Sequence, residues 1–233
     1  MDTSLYAAFA TDKLHVTFHN IELLITAFTH RSYLNEHKKT VQGHNERLEF
    51  LGDAVLELAV TNYLYTTYDE PEGILTNWRS SLVRTESIGA AAAKFGFEPL
   101  LRLSRGEKRG TDRARAQILA NSFEAVVGAL YLDQGYDIAR DFIHEAIIST
   151  FEEILKTGSW MDPKSHLQEL AQSQDTATPV YRVMSEEGPD HDKTFTVGVY
   201  VNEVLRGQGT GPSKQSGQQK AAEAALAFYQ TKI

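Results

Sequence analysis

Between Asn45 and Val60 the chain reads NERLEFLGDAVLELAV, and this stretch limits the possible folds more than any other. Leu48, Phe50, Leu51, Ala54, Val55, Leu56 and Leu58 recur so densely that a helix built from it is apolar around nearly its whole circumference, unlike an ordinary surface helix. Yet Glu46, Glu49, Asp53 and Glu57 lie three and four residues apart, which puts four carboxylates along one side of that helix. Such a stripe on a largely buried helix needs a counter-charge. Taken alone it could also face water or pair with Lys and Arg from elsewhere.

A second stretch narrows the choice. From Gln117 to Asp133 the sequence QILANSFEAVVGALYLD again reads as a buried helix, with Asn121, Ser122 and Glu124 as its polar interior residues. Asn121 and Glu124 are three apart and share a face. An unpaired carboxylate in an apolar interior costs several kcal/mol or forces protonation, so two such helices are expected to bring their acidic faces together around cations. Carboxylate and amide oxygens suit hard ions, Mg2+ or Mn2+.

Composition limits the chemistry. The chain has no cysteine, which removes disulfides, thiolate metal sites and cysteine nucleophiles. No apolar run approaches a membrane span, and MDTSLYAAFATDK lacks the basic start and apolar core of a secretory signal, so a cytoplasmic location is expected. A net charge of −8 argues against coating nucleic acid by bulk electrostatics. A local basic strip nevertheless runs through Arg102, Arg105, Lys108, Arg109, Arg113 and Arg115, just before the Asn121/Glu124 helix. Beside an acidic metal cluster it could guide a phosphate backbone.

The pattern changes near residues 156 to 163. Before it, helices are expected over Ile21 to Phe28, Asn45 to Thr67, Thr76 to Phe95, Asp112 to Asp133 and Tyr136 to Leu155. KTGSWMDP then breaks the periodicity as a linker would. Beyond it Lys164 to Gln174 and Pro212 to Gln230 read as helices, and Val180 to Glu186 and Lys193 to Asn202 as strands. In the latter, Phe195, Val197, Val199 and Val201 alternate with Thr194, Thr196, Gly198 and Tyr200, the period of a sheet with one buried face. Ala221, Ala222, Ala225, Leu226 and Tyr229 give the last helix a face to cover it. The Gly-rich Gly207 to Ser213 reads as a turn; it lacks the Gly-Lys-Ser/Thr ending of a phosphate-binding loop.

These residues carry a resemblance. HNERLEFLGDAVL and ILANSFEAVVGALYLD resemble the two acidic segments of the ribonuclease III family, and THRSY at Thr29 to Tyr33 is similar to another of its landmarks. LQE at Leu167 to Glu169, GPDHDKTF at Gly188 to Phe195 and GTGPSK at Gly209 to Lys214 resemble a double-stranded RNA-binding domain. The resemblance implies an all-α nuclease domain over residues 1–156, a linker over 157–163, and a small α+β domain of α-β-β-β-α order over 164–233. It further implies a homodimeric, divalent-metal-dependent endoribonuclease of ribosomal and messenger RNA precursors. Its products would carry 5'-phosphate and 3'-hydroxyl ends with short 3' overhangs.

Carried over position by position, the resemblance makes Glu49, Asp53 and Glu124 catalytic, metal-binding carboxylates, with position 121 the fourth metal ligand. Glu46 and Glu72 fall at auxiliary acidic positions. Glu57 matches none and is assigned to solvated surface. Phe50 falls where the family places an aromatic plug in the dimer interface; the alternative is a plain core phenylalanine. Gln168, Glu169, His191, Lys193, Lys214 and Gln215 would meet duplex RNA, reading A-form shape through 2'-hydroxyls and phosphates.

The chain departs from the family twice. Asn121 stands where aspartate is usual, so the site loses a negative charge, although an amide oxygen can still bind Mg2+. A lysine cluster is reduced to Lys214 beside Gln215 and Gln218, and residues 162–233 hold seven Lys and Arg against nine Asp and Glu, a net −2. Weak RNA binding by this domain alone is the expectation, with helix N-terminal amides still able to hold a phosphate. The competing reading is a duplex-RNA-binding protein whose chemistry has lapsed through Asn121. Retention of three costly carboxylates argues against it. A nucleotide phosphohydrolase would not need the C-terminal pattern, and His191-Asp192 has no second His/Asp pair nearby.

Overall fold

The computed structural model describes residues 3–41, 43–158, 160–189 and 193–230. His191 lies outside that set, as does the side chain of Tyr229. The chain divides into two compact units, Met1–Lys156 and Thr157–Ile233.

The first unit is built from α1 (Ser4–Lys13), α2 (Ile21–Ala27), α3 (Arg31–Glu36), α4 (Glu46–Thr67), α5 (Glu72–Val83), α6 (Thr85–Lys94), α7 (Asp112–Gln134), α8 (Tyr136–Ala146) and α9 (Phe151–Thr157). α7 is central because its middle is nearly all apolar. Ile118, Leu119, Phe123, Val126, Val127 and Leu130 are buried there, with α2, α4, α6 and α8 packed around them. Phe9, Phe28, Phe97, Phe123 and Phe142 touch in succession with ring centroids 5.0 to 5.9 Å apart. Each such pair adds roughly 0.5–1.5 kcal/mol beyond its area burial. α1, which the periodicity of the sequence does not announce, joins this core through Tyr6 and Phe9, and the Tyr6 hydroxyl donates to the Leu100 carbonyl at 3.0 Å. At the far end of α7, Asp133 accepts from the backbone N–H groups of His19 and Asn20 at 2.8 Å each and so pins the start of α2.

Two helices expected to be continuous are broken. Thr76 to Phe95 fails as one helix at Arg84, extended at φ −68° and ψ 151°. Ser87 Oγ donates to the Ser81 carbonyl at 2.8 Å, replacing a helix bond lost at the break. Tyr136 to Leu155 is interrupted after Ala146 by a short turn at Ile148–Thr150. There Ser149 Oγ and Thr150 Oγ1 donate back to the Glu145 and Ile147 carbonyls at 2.7 Å, the local competition that weakens helix interiors at Ser and Thr.

α4 is also less buried than its composition suggests. Leu48, Val55, Leu56, Ala59, Val60 and Leu64 face the core. Phe50, Leu58 and Tyr65 instead stand 82%, 57% and 76% exposed, and Ala54 is exposed between them. The helix has two apolar sides, and this chain covers one. Phe50 is therefore not a core phenylalanine.

The second unit has the expected α-β-β-β-α order: α10 (Pro163–Asp175), β1 (Val180–Glu187), β2 (Thr194–Val201), β3 (Val204–Gly211) and α11 (Lys214–Gln230). The strands form one antiparallel sheet in sequence order. Asp162 caps α10 by accepting from the Lys164 and Ser165 N–H groups. Leu167, Ala171, Ala221, Ala222 and Ala225 of the two helices bury Val199 and Val201. The reading of Gly207 to Ser213 as a turn is corrected, since Gly207, Gly209 and Gly211 lie in β3. A methyl group at Gly207 or Gly209 would overlap the backbone of Ala221. Glycines two apart put hydrogen on the one strand face that α11 must touch. Among the described residues no helix is long and apolar enough to cross a membrane.

Candidate active site

α4 and α7 cross where Gly52 meets Gly128. A methyl group at Gly52 would overlap the Glu124 carbonyl oxygen, and one at Gly128 would overlap that of Leu48. The two backbones touch with no side chain between them, the near limit of helix packing. Glu49 and Asp53 flank Gly52, while Asn121 and Glu124 precede Gly128 by about two turns and one turn. The crossing thus brings these four side chains together from two helices.

Their electrostatics show the proximity. Burial first, then the charges of Asp53 and Glu49, push the Glu124 carboxyl up to about 7. Glu49 is raised by burial and then by Glu46 and Asp53, against a hydrogen bond with Asn121 that lowers it. Two carboxyls, Glu124 and Glu49, whose ionisation is opposed by burial and by neighbouring charge favour a nearby cation. Among the described residues no group of three or more His, Asp or Glu side chains is gathered closely enough to hold a metal ion as it stands. In kind the set fits Mg2+ or Mn2+: three carboxylates and one amide, all oxygen donors. The oxygen of that amide is engaged, because Gln117 Nε2 donates to Asn121 Oδ1 at 2.7 Å. Gln117 escapes the sequence reading, although a polar residue one turn before Asn121 on its face was a usable signal.

The other acidic candidates divide. Glu46 is exposed one turn before Glu49, 3.4 Å from Arg31 and 3.8 Å from His44. Glu72 opens α5, where its carboxylate accepts from Thr76 Oγ1, and it lines a cleft of about 380 Å³ with Thr61, Tyr65 and Arg79. Thr61 is eight residues beyond Asp53, about 12 Å along α4, so Glu72 does not join the Glu49 set. Glu57 is not simply solvated; it pairs with Arg79 at 3.1 Å.

The basic strip is partly structural. Arg102 donates to Thr29 Oγ1 at 3.1 Å and lies 4.5 Å over the Tyr33 ring, while Arg115 pairs with Glu98 at 3.1 Å. Arg105, Lys108, Arg109 and Arg113 remain exposed ahead of Asn121. The THRSY segment is a clasp for that strip: His30 caps α3, and Ser32 Oγ accepts from the Ser104 N–H at 3.1 Å.

In the second unit Gln168, Glu169, Lys214 and Gln215 are exposed and Lys193 is half-buried. Lys164 Nζ donates to Gln218 Oε1 at 2.9 Å and ties α10 to the N-terminal part of α11. Lys214 is engaged by Glu186 at 3.2 Å, which further thins an already sparse positive face.

A family model described as ribonuclease-III-like matches residues 20–151, and a double-stranded RNA binding motif matches residues 163–229. Proteins named Ribonuclease 3 are similar over most of their length. That of Enterococcus faecalis is 44% identical across 92% of this chain and 94% of its own. The one from Oceanobacillus iheyensis is 46% identical with the same coverage. Among solved structures, the ribonuclease III nuclease domain of Campylobacter jejuni, studied for flexibility in a region involved in dimer formation, superposes with a TM-score of 0.53. It is 33% identical and covers 59% of this chain and 96% of its own.

Proposed function

The chain belongs to the ribonuclease III family as an endoribonuclease with a double-stranded RNA-binding domain, and we propose that it hydrolyses duplex RNA at the α4/α7 crossing in a divalent-metal-dependent reaction. Glu49, Asp53 and Glu124 are its catalytic carboxylates, with Asn121 beside them. The observation that supports this reading is the Gly52/Gly128 contact, beside a Glu124 carboxyl that burial first, then the charges of Asp53 and Glu49, push up to about 7. Glu49, Asp53 and Glu124 would hold Mg2+, with Mn2+ as a substitute, and Asn121 would offer an amide oxygen. The bound ions would activate water, offset charge on the reacting phosphate and stabilise the leaving 3'-oxygen, giving 5'-phosphate and 3'-hydroxyl ends.

The chain's own groups prepare that step. Without a cation Glu124, pushed up to about 7, is divided between its acid and carboxylate forms near neutral pH, and a bound positive charge would favour the carboxylate. Glu49 is oriented by Asn121. Glu46 is an auxiliary acid, and Arg105, Lys108, Arg109 and Arg113 lead the phosphate backbone towards Asn121. Gln168, Glu169, His191, Lys193, Lys214 and Gln215 form the duplex-binding face of the domain that follows residues 157–163.

The exposed side of α4 supports a homodimer in which Phe50 seats against a second copy, since a stripe of Phe50, Ala54, Leu58 and Tyr65 is more than a scattered surface residue. Two sites related by a twofold axis suit the two strands of a duplex and give short 3' overhangs. Glu72, remote from the Glu49 set in its own chain, is an auxiliary acid at most. The substrates would be ribosomal and messenger RNA precursors in the cytoplasm.

The test is incubation of a long, perfectly paired RNA with the purified chain in Mg2+, beside a Glu124→Gln variant and an EDTA control. Short duplex products from the unaltered chain alone are expected. RNA that is bound and shifted but never cut, in Mg2+ and Mn2+ alike, would replace this reading with that of a duplex-RNA-binding protein.

A further inference from the structure

The fourth member of the site is turned the wrong way for a ligand. Gln117 Nε2 donates to Asn121 Oδ1 at 2.7 Å, and the Asn121 side chain lies close enough to Glu49 to oppose the rise of its carboxyl. Because Oδ1 is turned to Gln117, Nδ2 is the Asn121 atom left to face the carboxylates, which only accept. An asparagine can offer a cation only its oxygen, and here that oxygen points along α7 to Gln117. For Oδ1 to reach an ion beside Glu49 the amide must turn over, which sends Nδ2 outwards. Gln117 must then accept instead of donate. A glutamine does this by turning its own amide, so the hydrogen bond survives in both states with donor and acceptor exchanged. An aspartate at position 121 would need no turn, because both its oxygens accept.

We propose that Gln117 is a positioning residue, coupled to Asn121 as a pair of amides that turn together and set whether nitrogen or oxygen of Asn121 faces the carboxylates. The inference rests on the reading of Glu49, Asp53, Asn121 and Glu124 as the cation site. It gives the chain a means of using an asparagine where a carboxylate would serve directly, at the cost of a reorientation before each ion is held. Gln117 lies on the exposed side of α7, so its replacement leaves the core untouched.

Gln117→Lys tests the coupling, because lysine donates but never accepts. It holds Asn121 Oδ1 outwards and opposes the turn. The probe is Mn2+ alone, titrated calorimetrically into the full chain without RNA, with Gln117→Lys made in both the unaltered chain and an Asn121→Asp chain. The added positive charge acts in both backgrounds; the blocked turn acts only with asparagine. Expected is a loss of Mn2+ affinity about tenfold greater in the asparagine background than in the aspartate one, the scale of one hydrogen bond to an ionic partner. In a diamagnetic companion experiment, the side-chain 15N amide signals of Asn121 and Gln117 should shift together as Mg2+ is added. Equal losses in the two backgrounds, or a Gln117 amide signal indifferent to Mg2+, overturn the coupling while leaving the cation site intact. Mn2+ binding unchanged by Glu124→Gln would instead remove the site itself, and the proposal with it.

Discussion

Replacing Gly52 by alanine is the sharpest test of the backbone-to-backbone crossing. The new methyl group would overlap the Glu124 carbonyl oxygen, a main-chain atom that cannot swing aside as a side chain can. α4 and α7 must therefore separate or slide. Overpacking of this kind costs about 1–3 kcal/mol. The catalytic consequence is larger than the loss of stability, since a displacement near 1 Å costs on the order of 10²-fold in rate. Gly73→Ala serves as control, because a methyl group there meets nothing within 4 Å and the position lies in the first turn of α5. There alanine should stabilise by up to about 0.5–1 kcal/mol. Urea denaturation in EDTA gives the stabilities, and cleavage of a perfectly paired RNA in saturating Mg2+ gives the rates. A Gly52→Ala chain as stable as its parent and cutting at the parental rate would refute the direct contact and the site built on it.

Three further outcomes are expected. With an ordinary value of 4.5 and a folded value of about 7, Glu124 ionises earlier in the unfolded chain, so metal-free stability should be full below pH 4.5, decline to about pH 7 and then level off. The loss is at most about 3 kcal/mol and smaller after solvent screening; urea melts from pH 4 to 8 in EDTA should show it, and Glu124→Gln should flatten it. Phe50→Ala should weaken self-association by roughly a hundredfold or more, from about 3 kcal/mol of lost aromatic burial, without lowering monomer stability. Sedimentation equilibrium reads it, and an unchanged dimer would exclude Phe50 from the interface. Glu186→Gln should release Lys214 and tighten duplex RNA binding a few-fold at low salt, the modest worth of a surface pair. Fluorescence anisotropy that shows no gain would make that pair irrelevant to binding.

Sequence alone conveyed the helical first unit and the acidic faces of α4 and α7, because carboxylates are so costly on apolar helices that their spacing stands out. It was silent where tertiary contact outweighs local pattern. The breaks at Arg84 and after Ala146 depend on Ser and Thr hydroxyls finding particular carbonyls. The exposed side of α4 is indistinguishable from a core face in one sequence, since Phe50 and Leu58 carry no mark of what covers them. β3 was hidden by glycines that suggest a turn yet serve close helix contact. At the site, the four positions proposed as ligands could be read from spacing and resemblance, but the direction of the Asn121 amide could not. It depends on which neighbour donates, and that neighbour, Gln117, looks like an ordinary surface residue.

The contact at Gly52 and Gly128 has an implication for how such a site can change over generations. Where two helices are held apart by side chains, exchanging one of those side chains alters their spacing, and chemistry and architecture drift together. Here, so long as Gly52 and Gly128 are kept, the spacing is set by main-chain atoms alone. The side chains of the proposed site hang from a frame that does not register their identity, so an aspartate can become an asparagine at position 121 without moving its neighbours. Geometry is conserved by default, and charge is left free to vary.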